Sequence, residues 1–69
     1  MEGSFKVNIF TPKEARNYRD LSVKFVAKEL GMSESTYINK ENGTSKFYVD
    51  EAVNFSDIVN IPFRNIKFF

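Results

Sequence analysis

Hydrogen bonding is the chemistry this chain is equipped for. Its 69 residues include no histidine and no cysteine, so the commonest general base, the thiolate nucleophile and the soft metal ligands are missing. The nine acidic residues are scattered over different segments without a paired site, and the serines stand where helix caps belong. No enzyme activity, no metal and no cofactor are expected. What remains is MSESTYINKENG, Met32 to Gly43, almost wholly polar, opening at a capping serine and stopping at a glycine. A helix from Glu34 to about Asn42 has Tyr37 as its main inward residue and shows Glu34, Ser35, Thr36, Asn39 and Lys40 to water. Such groups read base edges in the major groove of B-DNA when a preceding helix supports them. The plainer reading is that any surface helix is polar on its outside.

The elements that must carry this helix can be read along the chain. Ser4 to Phe10, SFKVNIF, alternates apolar and polar side chains as a short strand does, and Ile66 to Phe69 is the only comparable segment. The two ends are expected either to pair into a small two-stranded sheet or to fray. Thr11-Pro12-Lys13-Glu14 combines a capping threonine, a first-turn proline and a glutamate at the third helical position. A helix therefore starts there and runs to about Arg19, burying Ala15 and Tyr18, before Asp20-Leu21 turns the chain. Ser22 caps the next helix, Val23 to Leu30, whose inner face is Val26, Ala27 and Leu30 and whose end is Gly31. Only Met32 separates that glycine from the cap at Ser33, which is a helix-turn-helix spacing over 22–43. After the solvated Thr44-Ser45-Lys46, a fourth helix of about Val49 to Val59 turns Ala52, Val53, Phe55 and Val59 inward. Asn60 ends it, and Ile61-Pro62-Phe63 begins a last turn.

The expected architecture is a mainly α bundle of four to five helices in one domain, 1–69, with a strand-like arm at 1–10 and a strand-like tail at 66–69. Eight phenylalanines and three tyrosines supply its core. No apolar run approaches the roughly 18 residues of a membrane span, and MEGSFK lacks the apolar segment of a signal peptide. A cytoplasmic location is expected, with no membrane partner, because so small a fold needs its apolar faces for its core. The formal charge of +1 neither favours nor excludes nucleic acid, since a local positive surface can be balanced elsewhere.

The run ARNYRDLSVKFVAKELGMSESTYINKENG, Ala15 to Gly43, resembles the helix-turn-helix family of phage repressors and Cro proteins, also called the xenobiotic-response-element family. The matching parts are Ala15-Arg16, Leu21-Ser22, Val26-Ala27, Leu30-Gly31, Ser33, Ser35-Thr36-Tyr37 and Glu41-Asn42-Gly43, in order and at the family's spacing. A weaker likeness continues through Val49 to Phe69. The resemblance implies a lambda-repressor-like bundle that binds double-stranded operator DNA, usually as a homodimer, to regulate transcription in a bacterial or phage-infected cell. No small-molecule ligand or sensor domain is implied.

Carried over by position, Glu34, Ser35 and Asn39 fall where family members read bases, and Thr36 lies beside the backbone. Ser22, Lys24, Asn42 and Lys46 fall where phosphates are held, and Lys40 could lay its stem on the core while offering its ammonium to DNA. Arg16 and Glu41 match the pair that ties the first helix to the third. The chain departs from the family at Val23, where a phosphate-touching glutamine is common, at Phe25, often glutamate, and at Lys40, often aromatic or leucine. Glu34 could accept a hydrogen bond from cytosine N4 or repel wrong sequences. The alternative is a protein-interaction module of the same fold that binds a repressor or a polymerase subunit without reading DNA. Phe47, Phe63, Phe68 and Phe69 serve either a self-contact between two copies or the core.

Overall fold

The computed structural model describes residues 9–68. Four helices follow one another: α1, Pro12–Tyr18; α2, Val23–Glu29; α3, Glu34–Glu41; and α4, Val49–Val59. A single 3-10 turn, Phe63–Asn65, closes the described chain. No helix among these residues is long and apolar enough to cross a membrane.

Each helix begins where its local chemistry tells it to. The Thr11 hydroxyl accepts from the Glu14 amide at 3.1 Å, and the Glu14 carboxylate accepts from the Thr11 amide at 2.9 Å, so two otherwise unpaired donors are satisfied reciprocally. Ser22 and Ser33 cap α2 and α3 by accepting from the amides of Phe25 and Thr36. Gly31 and Gly43 end them at φ +72° and +84°, a region that costs glycine nothing and strains other residues. Asn60 takes the same left-handed conformation to end α4.

The helices share one core of Ala15, Val26, Ala27, Tyr37, Phe47, Ala52, Phe55, Val59, Ile61 and Ile66. Its middle is aromatic: Tyr37, Phe47, Phe55 and Phe68 lie with ring centroids 5.1 to 6.4 Å apart, stacked, tilted or edge-on. Phe47 is thus a core residue and not part of a self-contact. Phe63 stacks on Phe68 at 5.3 Å and stays partly exposed.

Three expectations from the sequence need correction. Tyr18 is 64% exposed, since α1 turns Pro12 and Ala15 inward and leaves Tyr18 at the rim, over the Phe10 ring. The space toward α4 is taken by Arg19, whose guanidinium donates to the carbonyls of Val59 and Asn60 at 2.7 and 3.0 Å. Val53 also faces outward, because Ala52, Phe55, Ser56 and Val59 already fill the buried stripe of α4. The chain ends, finally, form no sheet among the described residues. Phe10 and Ile66 make one parallel bridge, with Phe10 donating to the Asn65 carbonyl at 2.8 Å and Lys67 to the Phe10 carbonyl at 2.7 Å. The rest of the predicted arm, through Asn8, and Phe69 lie outside the described residues.

Two measurements follow from these contacts. Thr11→Ala removes one cap and is expected to lower stability by about 1 kcal/mol. The Phe10 and Lys67 amides, both donors in the bridge, are expected to exchange more slowly than the loop amide of Lys46, and equal rates would refute the bridge.

Candidate nucleic-acid interface

A helix turns about 100° per residue. Glu34, Ile38, Asn42, Ser35 and Asn39 therefore follow one another around about 140° of the α3 circumference, and all five are exposed. Tyr37 and Lys40 occupy the far side, and Glu41 borders the strip next to Glu34, with its carboxylate turned toward α1. Thr36 sits at the edge of the outward strip, exposed, its hydroxyl accepting from Ser33 at 2.8 Å. Among the described residues the side chains of Glu34, Asn39 and Asn42 make no hydrogen bond or ion pair, and Ser35 approaches only the Ser33 hydroxyl at 3.4 Å.

The inner arc explains why this strip faces away from the protein. The Glu41 carboxylate receives Arg16 in a two-pronged contact, Nε to Oε2 at 2.7 Å and the second guanidinium nitrogen to Oε1 at 3.2 Å. The same Oε2 accepts the Tyr37 phenol at 2.6 Å, while the remaining Arg16 nitrogen donates to the Leu21 carbonyl at 2.9 Å. The side chains of Arg16 and Glu41 are only 12% and 5% exposed. One carboxylate thereby fastens α1, the turn into α2, and α3. Burial pushes the Glu41 carboxyl upward, yet the hydrogen bonds from Arg16 and Tyr37 and the guanidinium charge outweigh it and hold the group below the usual carboxylate range. Burial, then the hydrogen bond to Glu41 and the Glu41 charge, raise the Tyr37 phenol above the tyrosine range.

A second fastening corrects the expectation for Lys40. Its side chain is 7% exposed. The stem lies on the core as foreseen, but the ammonium reaches the Lys46 carbonyl at 2.9 Å and the Glu51 carboxylate at 3.0 Å, 4.7 Å from the centre of the Tyr48 ring. Glu51 also accepts from the Tyr48 amide at 2.9 Å. Lys40 is therefore a brace between α3, the following loop and α4, with no charge to offer DNA. A lysine on a mostly polar helix reads as surface, and only an acid eleven residues further along could have hinted otherwise.

The other phosphate candidates lie outside the core. Ser22, Lys24, Asn42 and Lys46 are exposed, although the Ser22 hydroxyl is already engaged as a cap. Val23 is partly buried against the core, which is why an apolar residue stands there. Two residues escaped sequence reasoning. Ile38, 39% exposed, lies in the middle of the outward strip, offering an apolar surface of the kind that meets a thymine methyl. Lys67 shares with Thr11, Asn42 and Gly43 a groove of about 260 Å³ at the C-terminal end of α3. Only the parallel bridge brings that lysine there, and nothing local to residue 67 signals it. Among the described residues no group of histidine, cysteine or carboxylate side chains is arranged to hold a metal.

No family model, curated protein or solved structure matches the chain.

Removing Glu41 strands a buried guanidinium and a buried phenol. Glu41→Ala is expected to cost about 3–5 kcal/mol, a large part of the stability typical of so small a domain. The triple variant Arg16→Met, Tyr37→Phe, Glu41→Leu should recover much of that loss, as measured by urea unfolding. The pH dependence has two limbs of opposite origin. A lowered carboxylate contributes stability above its unfolded value and loses it as pH falls through its folded value; a raised phenol contributes below its unfolded value and loses it as pH rises. Stability from this cluster should be level between about pH 5 and 10 and decline on either side. Glu41→Gln should flatten the acid limb.

Proposed function

We propose that the chain is a DNA-binding transcriptional regulator that reads duplex DNA with the outward strip of α3. The supporting observation is that this strip is a row of hydrogen-bonding groups left unused by the fold, on a helix fastened from behind through Glu41 and Lys40. A side chain already bonded within its own protein would lose that bond on meeting a base. Glu34, Ser35 and Asn39 lose nothing of the kind, or little. Asn39 can pair with adenine, Ser35 with several bases, Ile38 with a thymine methyl, and Glu34 can accept from cytosine N4. Lys24, Lys46 and Lys67 are the cations available for phosphates, with Asn42 as a neutral donor beside them. The α2–α3 spacing and the resemblance to repressor and Cro proteins point the same way.

The apolar exposure of Phe25 and Ile38 and the loss of the Lys40 charge favour a second reading, in which the same face binds a protein. Salt separates the two. Three released cations give a slope of log affinity against log salt of about −2.7 on B-DNA, whereas a mainly apolar protein contact is far less sensitive. Lys67→Gln is expected to weaken DNA binding on all sequences and reduce the slope by about 0.9. Asn39→Ala should instead relax preference at one base position, worth about 1–3 kcal/mol, in duplexes selected from a random pool. Failure to bind any duplex in dilute buffer would reject the DNA reading. A second copy of the chain is the expected partner on a symmetric site, with recognition helices about 34 Å apart, and one protein per selected site by sedimentation would reject that arrangement.

A further inference from the structure

We propose that Asn42–Gly43 is a site of spontaneous deamidation, which places a negative charge at the C-terminal end of α3. The chain gives this step what the reaction requires. Asn42 is exposed and its side-chain amide makes no hydrogen bond among the described residues, while its backbone amide donates to the Ile38 carbonyl. Gly43 has no side chain to crowd the attack, and a Cβ built there would meet nothing within 4 Å, so no neighbouring group crowds that side of its Cα. Every other asparagine is followed by a larger side chain: Ile9, Tyr18, Lys40, Phe55, Ile61 or Ile66. The glycine is also hard to replace, because φ of +84° at that position strains any other residue. The same turn thus imposes a glycine and leaves the asparagine before it unprotected by a neighbour's bulk.

The chemistry needs only water and base. Hydroxide takes the Gly43 amide proton, the nitrogen attacks Asn42 Cγ, and a carbon–nitrogen bond closes a five-membered imide. The Cγ–Nδ2 bond breaks, and Nδ2 leaves as ammonia with a proton from water. Water then opens the imide at either carbonyl, giving aspartate or isoaspartate. Opposing this, Asn42 sits at ψ −5°, which turns the Gly43 nitrogen away from its side chain, and the Gly43 amide donates to the Lys40 carbonyl at 3.2 Å. The reaction therefore proceeds through a frayed last turn. Thr44 and Ser45 both donate to the Asn39 carbonyl, at 2.8 and 3.1 Å, so this turn sets the rate.

The product differs from the parent where it matters for the proposed DNA contact. A carboxylate at the end of a helix opposes the helix dipole and repels phosphate, and isoaspartate lengthens the backbone and displaces the amides of Gly43 and Thr44. Lys67, in the same groove, becomes a partner for the new charge and is withdrawn from DNA. The modification itself does not depend on the DNA reading, but this consequence does.

The test incubates the full chain in warm, mildly alkaline buffer, native and in denaturant, and maps peptides by mass spectrometry. Conversion at Asn42 alone, slower in the native chain than in denaturant and absent from Asn42→Gln, is expected. An Asn42 that stays intact in the native chain over a period that fully converts the denatured chain would overturn the proposal. The converted species, separated by ion exchange, should bind duplex DNA more weakly than the parent, and Asn42→Asp should copy that loss. If Asn42 converts but neither form binds DNA at any salt, the modification stands and the DNA reading falls.

Discussion

The arrangement of the whole domain hangs on one buried carboxylate. Glu41 is the last residue of α3, yet it collects a donor from α1 and another from its own helix, and through Arg16 it reaches the carbonyl of Leu21 in the turn that leads into α2. Without these donors the charge could not remain in so dry a place. With them it fixes the rotation of α3 about its own axis, because a side chain at one point of the circumference must face α1. With Tyr37 and Lys40 also turned inward, the arc that begins beside Glu41, from Glu34 round to Asn39, is presented to solvent. The outward strip follows from a constraint on the inside, and its composition could vary freely without disturbing the fold.

Lys40 repeats this logic on the neighbouring flank. It is separated from Glu41 by one helical step and braces against α4 in place of α1. Together the two residues hold α3 near its C-terminal end from both sides, while the N-terminal end depends on the Ser33 cap and on Tyr37 in the core. The exposed surface that results is electrically sparse. Glu34 is the lone charge of the outward strip, and the cations stand on the segments around it. A face of this kind discriminates by hydrogen-bond pattern more than by attraction.

Much of this was legible in the sequence because it was written locally. A cap, a first-turn proline or a left-handed glycine acts within four residues, and Thr11-Pro12-Lys13-Glu14, Ser22, Ser33, Gly31 and Gly43 each fulfil their expected role. The Arg16–Glu41 contact was legible only through the family resemblance, since a separation of 25 residues has no local signature. The misplacements have a common origin. Tyr18 and Val53 are apolar enough to be buried, but Arg19 and the stripe of Ala52, Phe55 and Val59 had already taken the available space. Lys40 is charged enough to be outside, but Glu51 and the Lys46 carbonyl supply what water would have. Burial was decided by competition among neighbours distant in sequence, which residue type alone does not disclose. The ends of the chain show the same limit: Phe10 and Ile66 pair at a single point, in a parallel sense that alternating hydrophobicity cannot specify.

The burial of Tyr37 has an optical consequence. The chain has no tryptophan and three tyrosines, and Tyr18 and Tyr48 are largely open to solvent in the folded protein. Changes in near-ultraviolet absorption or tyrosine emission on unfolding therefore arise chiefly from Tyr37, whose hydroxyl touches the Glu41 carboxylate. The folded domain carries a built-in chromophore on the very contact that orients its third helix, so the state of that contact can be followed by light alone, with no label attached.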